Sequence, residues 1–267
     1  MAGIESGGAT ELVVATYNIH GCIGTDKRFD LGRVATVIEE IGADVVALQE
    51  VGDVRGRGPA GDYAAELGDR IGCSVIYQPT MLRGDRAYGN AIVSRLPVEG
   101  SRSYDLSVRR REPRGCLRAD LRFGESPVHV FGLHLGLARA EQREQAAMLL
   151  GADIVRDAAV SWPLVVMGDF NFWFNGPIAR TVRRSLIDAA VAAGTPGPTY
   201  PARSPILRLD RIYVDDAWAA ESTWVHRSEA ARVASDHLPL VARLRLRREQ
   251  MELPPGAERG TLAAGAP

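Results

Sequence analysis

Apolar positions along the chain follow two rhythms: short β-branched runs, and longer stretches in which they recur every three or four residues. Residues 11–17 (Glu-Leu-Val-Val-Ala-Thr-Tyr) predict a buried strand that ends at Asn18. Asp30 is placed to cap a helix whose apolar face is Leu31, Val34, Ala35, Ile38 and Ile41, and Gly42 closes it. Asp44 to Val51 predicts a second buried strand and 62–71 a helix, followed by strands near 73–78, 89–95, 98–106, 115–123 and 127–134. Residues 139–159 predict the longest helix, with Ala147, Leu150, Ile154 and Ala158 at helical spacing. Pro163 to Gly168 predicts another apolar strand, and strands near 209–214, 218–226 and 238–246 complete the pattern.

Consecutive strands without intervening helices, at 73–134 and again at 209–246, are wrong for a purely parallel, doubly wound sheet. They predict a sandwich of mixed sheets with helices outside. Neither a linker nor an internal repeat interrupts the pattern, so 11–248 reads as one domain, with 1–10 and the Pro/Gly/Ala-rich 249–267 as flexible termini. In such a sandwich, a polar residue at the end of a buried strand is a candidate for a site on the rim.

Composition narrows the classes of function. The 267 residues are 46% hydrophobic and 24% charged, ordinary globular usage that disfavours disorder, collagen and coiled coil. No apolar run approaches the ~20 residues of a membrane span, and Met1 to Thr10 lacks a basic and an apolar signal region. Against 33 acidic residues, 32 basic ones give a net charge of −1, which excludes a globally basic nucleic-acid coat and leaves room for a local basic groove. Lys27 is the only lysine, a bias that codon usage explains more simply than arginine chemistry does. Cys22, Cys73 and Cys116 are odd in number and far apart, against a disulfide framework or structural zinc and in favour of the cytoplasm.

Several strands end alike, an apolar run meeting an acid, an amide or a histidine: Tyr17-Asn18-Ile19-His20, Leu48-Gln49-Glu50, Leu133-His134, Gly168-Asp169-Phe170-Asn171, Leu209-Asp210-Arg211 and Ser235-Asp236-His237. Any one of them is most simply a strand meeting solvent. Six together make a candidate site, and their carboxylate and amide oxygens suit Mg²⁺ or Mn²⁺ rather than zinc.

This ordered series resembles the endonuclease/exonuclease/phosphatase superfamily, the deoxyribonuclease I-like fold shared by nucleases, sphingomyelinases and inositol polyphosphate phosphatases. The resemblance runs from about Val13 to Leu244, and Tyr17-Asn18-Ile19-His20-Gly21, Tyr88-Gly89-Asn90-Ala91 and Leu207-Arg208-Leu209-Asp210-Arg211 look most like small bacterial members. It implies a four-layered α/β sandwich, two mixed β-sheets packed face to face with helices on both outer sides, that hydrolyses phosphate esters. It implies Glu50 as the main metal ligand, with Asn18 and Asp236 beside it. It also implies Asp169 as the base acting on water, Asn171 as the group holding water and phosphate in line, and His237, oriented by Asp210, as a phosphate contact. His134 matches the position of a histidine that serves the leaving or nonbridging oxygen in the deoxyribonuclease, sphingomyelinase and inositol phosphatase branches. In the deoxyribonuclease branch that histidine leans on a glutamate before proline; here the match is Gln78-Pro79, which supplies no charge.

Arg109, Arg110, Arg111, Arg114 and Arg118 crowd one loop and strand start. A solvated face explains such a run as well as a phosphate grip does, and Arg114 is the candidate for the grip. Asn90 is a second candidate for substrate contact, with turn chemistry as the alternative. Trp173 reads as pocket wall or core. Gly56-Arg57-Gly58-Pro59-Ala60-Gly61 fits a dinucleotide fingerprint only in letters, because Gln49-Glu50 occupies the strand end and 76–82 holds no acid. The expectation is therefore an Mg²⁺- or Mn²⁺-dependent phosphodiesterase of a small, lipid-head-group or nucleic-acid diester, with no obligate protein partner. A nuclease is the alternative, and a non-catalytic binding module on the same scaffold a third reading.

Overall fold

Strand alternation decides how this chain layers itself. The computed structural model describes residues 10–160 and 163–247, so the flexible termini expected at 1–10 and 249–267 lie outside the described residues, Thr10 apart. In chain order the elements are β1 (Glu11–Asn18), α1 (Leu31–Ile41), β2 (Val45–Gly52), α2 (Tyr63–Ile71), β3 (Ser74–Arg83), β4 (Arg86–Ser94), β5 (Val98–Asp105), β6 (Gly115–Phe123), β7 (Ser126–His134) and α3 (Arg139–Leu149). They continue with β8 (Leu164–Asp169), α4 (Pro177–Ser185), β9 (Ile187–Asp188), α5 (Ala189–Ala192), β10 (Asp210–Val214), β11 (Trp218–Val225), α6 (Glu229–Ala234) and β12 (Leu240–Leu246).

Two six-stranded sheets result, in the orders β11-β12-β1-β2-β4-β3 and β5-β6-β7-β8-β10-β9. Each is mixed: β1 runs parallel to β2 and β7 parallel to β8, whereas their other neighbours are antiparallel. Helices α1 and α3 make the two parallel crossovers, as parallel pairing requires. Between the sheets, Leu12, Val14, Val45, Ala47 and Ile92 meet Leu117, Val130, Val165, Met167 and Ile212 in one apolar layer. The alternate faces of the same strands carry Ala15, Tyr17 and Leu48 toward α1 and α2, and Phe131, Leu133 and Val166 toward α3 and α4. Period-two alternation thus produces helix, sheet, sheet, helix, the expected four-layered α/β sandwich.

Asp30 caps α1 by accepting a hydrogen bond from the Arg33 N–H at 2.9 Å, and Gly42 ends it in the left-handed region. The long helix expected over 139–159 stops at Leu149. Gly151 follows within two residues and weakens further helix; Ile154 and Val155 reach the same core from a turn instead. The sequence pattern also passed over α4, which opens with Pro177 at its first turn, and α6, capped by Ser228 on the Ala231 N–H. Both are short. The hairpin of β3 and β4 is longer than expected, because a bulge between Pro79 and Met81 lets pairing resume beyond the proline.

Candidate active site

The same alternation that fills the inter-sheet layer carries polar residues to its rim. Along β1 the inward positions 12 and 14 lead through Thr16 to Asn18, and along β7 positions 128 and 130 lead through Gly132 to His134. Val165 and Met167 lead likewise to Asp169, while Ile212 and Val214 share a face with Asp210. Antiparallel pairing of β8 with β10 sets Asp169 directly opposite Asp210. A Cβ on Gly168 would lie 2.0 Å from the Leu133 carbonyl oxygen, so only glycine lets β8 approach β7 there.

Glu50 does not follow the alternation. Register shifts between Leu48 and Val51, and Glu50 sits at φ +57°, a left-handed conformation that costs a glutamate roughly 1–2 kcal/mol. Bulges of this kind re-aim a side chain, and here the carboxylate turns into the rim pocket. Asn171 is held at φ +53° beside the same pocket. Strain at two such residues marks the rim as a place where position outranks local stability.

Around Asn18 the rim closes into a network. Asn18 Nδ2 donates to Glu50 Oε1 at 3.0 Å and to Asp169 Oδ2 at 3.1 Å, while its Oδ1 accepts from the His20 N–H. Ser235 Oγ donates to the Asn18 carbonyl at 2.7 Å and ties the Asp236-His237 turn to the end of β1. Asp210 Oδ2 lies 2.9 Å from His237 Nδ1, and Asp169 Oδ2 lies 3.7 Å from its Nε2. Burial opposes a charged imidazole, but Asp210 and Asp169 outweigh it and raise the His237 pKa to about 10. Burial pushes the Asp169 carboxyl up to about 6; the His237 charge works against that shift and Asp210 adds to it.

His134 is the neutral counterpart. Arg114 Nη1 lies 3.0 Å from His134 Nδ1, and a guanidinium only donates, so Nδ1 is an acceptor; Nε2 lies 3.2 Å from Asn171 Nδ2 and 3.5 Å from Asp169 Oδ2. Burial, then the charges of Arg114 and His237, hold its pKa well below 6.5. Gln78 turns away, donating to the Tyr104 carbonyl at 3.0 Å. An arginine thus backs His134 where the deoxyribonuclease-like pattern has a glutamate. Arg114 also pairs with Glu112 at 3.0 Å. Of the other arginines in the run, Arg109, Arg110 and Arg111 are exposed and Arg118 pairs with Asp120 on the outer face of its sheet.

The rim pocket measures about 390 Å³, and Glu50, His134, Asp169, Asn171, Asp236 and His237 line it with Arg114. Asn18 and Asp210 stand behind this wall. Asn90 is buried and donates to the Gly115 carbonyl at 3.0 Å, bracing the strand next to Arg114 outside the main pocket. Sequence reasoning missed Arg57 and Tyr200. Arg57 reaches back from the glycine-rich loop to His20 Nε2 at 3.0 Å, and the opposite side of that imidazole faces Asp236 Oδ1 at 3.4 Å. Tyr200 packs its ring 4.9 Å from that of His237. No strand-end pattern announces a loop residue that arrives from elsewhere in the chain.

Two acidic clusters share the rim, and their electrostatics differ. Ligand atoms of Asp169, Asp210 and His237 lie within 4.8 Å of one another, a spacing that suits a metal, but a protonated His237 already neutralises much of that pair. Among the described residues Glu50 has no arginine or lysine in ion-pair range, and Asp236 has only His20 in that range, with Ser235 Oγ 3.5 Å from its Oδ1. These hard, uncompensated carboxylate oxygens fit Mg²⁺ or Mn²⁺. Asn18 joins them only with its amide turned, since Oδ1 now serves the His20 N–H.

Comparison with known proteins agrees with this fold. The sequence profile of the Endonuclease/Exonuclease/phosphatase family matches residues 15–237. An uncharacterized protein of Escherichia coli (strain K12), YbhP, is 33% identical over 253 residues, 87% of this chain and 96% of that protein. The crystal structure of an endonuclease/exonuclease/phosphatase from Beutenbergia cavernae DSM 12333 superposes with a TM-score of 0.73 at 27% identity, covering 89% of this chain and 72% of the other. A mannosyl-6-phosphatase from Bacteroides thetaiotaomicron VPI-5482 has the same fold, with a TM-score of 0.66 at 18% identity over 87% of this chain and 99% of its own.

Proposed function

Because the chain belongs to the endonuclease/exonuclease/phosphatase family, whose members are generally hydrolases of phosphate esters, we propose that it is an Mg²⁺- or Mn²⁺-dependent phosphodiesterase. The observation that carries this reading is that Glu50 and Asp236, which have no arginine or lysine in ion-pair range among the described residues, line the same pocket as Asp169 and His237, the latter held by Asp210. Residues 11–248 form the catalytic domain. The odd number and wide spacing of Cys22, Cys73 and Cys116 favour the cytoplasm as its compartment. No helix among the described residues is long and apolar enough to cross a membrane.

Glu50 and Asp236 would hold the ion, with Asn18 completing the set once its amide is turned. When bound, it supplies positive charge to a phosphoryl oxygen as negative charge grows there. Asp169, ionised above about pH 6, takes the proton of a water aimed at phosphorus. Asn171 positions that water and the phosphate; its side chain is fixed by donation to the Leu135 carbonyl at 3.0 Å. His237 contacts a phosphate oxygen as a cation oriented by Asp210. Neutral His134, held by Arg114 at Nδ1 and next to Asn171 at Nε2, serves the leaving or nonbridging oxygen, and Arg114 adds charge beside it. Asn90 acts on substrate through Arg114's strand.

The relay makes a specific prediction. Asp210→Asn and His237→Ala should each lower turnover by roughly 10²-fold or more, and the double variant should be little worse than either, since groups acting as a unit are not additive. Asp210→Asn should also bring the alkaline loss of activity to lower pH, because a cation with a weaker carboxylate partner titrates earlier. Losses that multiply would break the pairing.

The choice of substrate is tested by a metal-supplemented panel of bis-p-nitrophenyl phosphate, plasmid DNA, RNA and phospholipids. Near-neutral overall charge favours small or lipid diesters: DNA cleavage should be slow and fall steeply with salt, while the small diester depends little on it. Rapid nicking of DNA at physiological salt would make the enzyme a nuclease instead.

A further inference from the structure

A second cavity of about 360 Å³ opens beside the rim pocket, and its walls are of the opposite character. Phe172, Trp173, Phe174, Pro177, Ile178 and Leu137 line it, from the β8–α4 loop on one side and the loop before α3 on the other. Leu137, Trp173 and Phe174 are 68%, 58% and 67% exposed, so three large apolar side chains crowd one mouth. Single exposed apolar residues need no explanation, but a contiguous patch does. The groove is continuous with the catalytic pocket: Asn171, Leu137 and Trp173 line both.

Arg139 stands exposed at one edge of the groove, and the two buried amides that line it, Gln142 and Asn171, are already committed. Gln142 Nε2 donates to the Gly136 and Asn171 carbonyls at 2.9 and 2.8 Å, and Asn171 Nδ2 donates to the Leu135 carbonyl. These amides are not free to read the edge of a nucleobase or the hydroxyls of a sugar. What remains is an apolar slot more than twice the ~150 Å³ that accommodates a benzene ring, and too small for a helix of a protein partner with its ~10 Å diameter.

We propose that this groove is a subsite for the alkyl chain of a single-chain amphiphilic phosphodiester whose phosphate occupies the adjoining pocket. The assignment rests on the phosphodiesterase reading and narrows its substrate class. Phosphate and chain are joined covalently in such a molecule, as the charged pocket and the apolar groove are joined through Asn171, Leu137 and Trp173. Each methylene withdrawn from water strengthens binding by roughly fourfold when fully buried, so a partly buried chain of eight carbons gains a large factor over a short one.

The test uses methyl ethyl, methyl butyl and methyl octyl phosphate, all below their aggregation concentrations, with the full chain and Mn²⁺. Calorimetry reads binding, and ³¹P resonance reads hydrolysis. The octyl ester should bind at least ~10-fold more tightly than the ethyl ester. In Phe174→Ser, and separately in Leu137→Ser on the facing wall, that ratio should fall toward one. Both side chains are solvent-exposed, so the fold does not depend on them. Equal binding of ethyl and octyl esters would overturn the subsite, as would tighter binding of methyl thymidine 5′-phosphate than of the octyl ester. Hydrolysis of all three esters at equal efficiency, with equal binding, would leave the phosphodiesterase and remove the groove's role. A preference for octyl binding without hydrolysis of any ester would do the reverse.

Discussion

Asp169→Asn should lower turnover by roughly 10²- to 10⁴-fold, the range for loss of a general base, and at the same time make the protein more stable. Asp169 is 1% exposed, opposite Asp210, and its carboxyl is pushed up to about 6 chiefly by burial. Near pH 3 the group is protonated in folded and unfolded chains alike. As pH rises from the ordinary 3.8 to about 6, the unfolded chain ionises first and the fold loses stability; above that range the full cost is present. Asparagine keeps the shape without the charge. In metal-free buffer its melting temperature should match that of the wild type at low pH and exceed it at pH 8, where the variant should be more stable by an amount on the order of 1–3 kcal/mol. Melting curves at several pH values, paired with turnover, check both halves. A variant that is fully active, or less stable at pH 8, would contradict the assignment.

That combination explains which parts of the site were legible in the sequence. Asn18, His134 and Asp169 end their strands and continue the period-two alternation, so an apolar run followed by a polar letter marked them directly, whereas Asp210 opens β10 and shares a face with Ile212 and Val214. The sandwich was legible for the same reason: strands followed strands where a parallel fold would need helices. Glu50 was marked by its resemblance, but the bulge and left-handed backbone that aim it leave no trace in periodicity. Neither does the reversal of charge at His134, because Arg114 reaches it from a loop 20 residues earlier. The helix expected to run to residue 159 shows the opposite error, since Ile154 and Val155 keep their burial after helical geometry ends.

Glu50→Gln should have the other large effect. Among the described residues Glu50 has no basic side chain in ion-pair range, and Asp236 has only His20. Glutamine preserves size and can still meet Asn18, but it removes half of the charge that holds a divalent ion. Ion affinity should fall steeply, and turnover should drop by at least ~10³-fold, consistent with loss of charge stabilisation at the phosphoryl oxygen. The backbone strain at this position is unchanged, so the metal-free proteins should melt alike.

The account is tested most directly by stripping wild type and Glu50→Gln with a chelator and titrating each with Mn²⁺, while following calorimetric binding and hydrolysis of bis-p-nitrophenyl phosphate. The predicted result is saturable binding and turnover that rise together in the wild type and are both lost in Glu50→Gln. Undiminished turnover of the variant, or wild-type hydrolysis that needs no divalent ion, would contradict it.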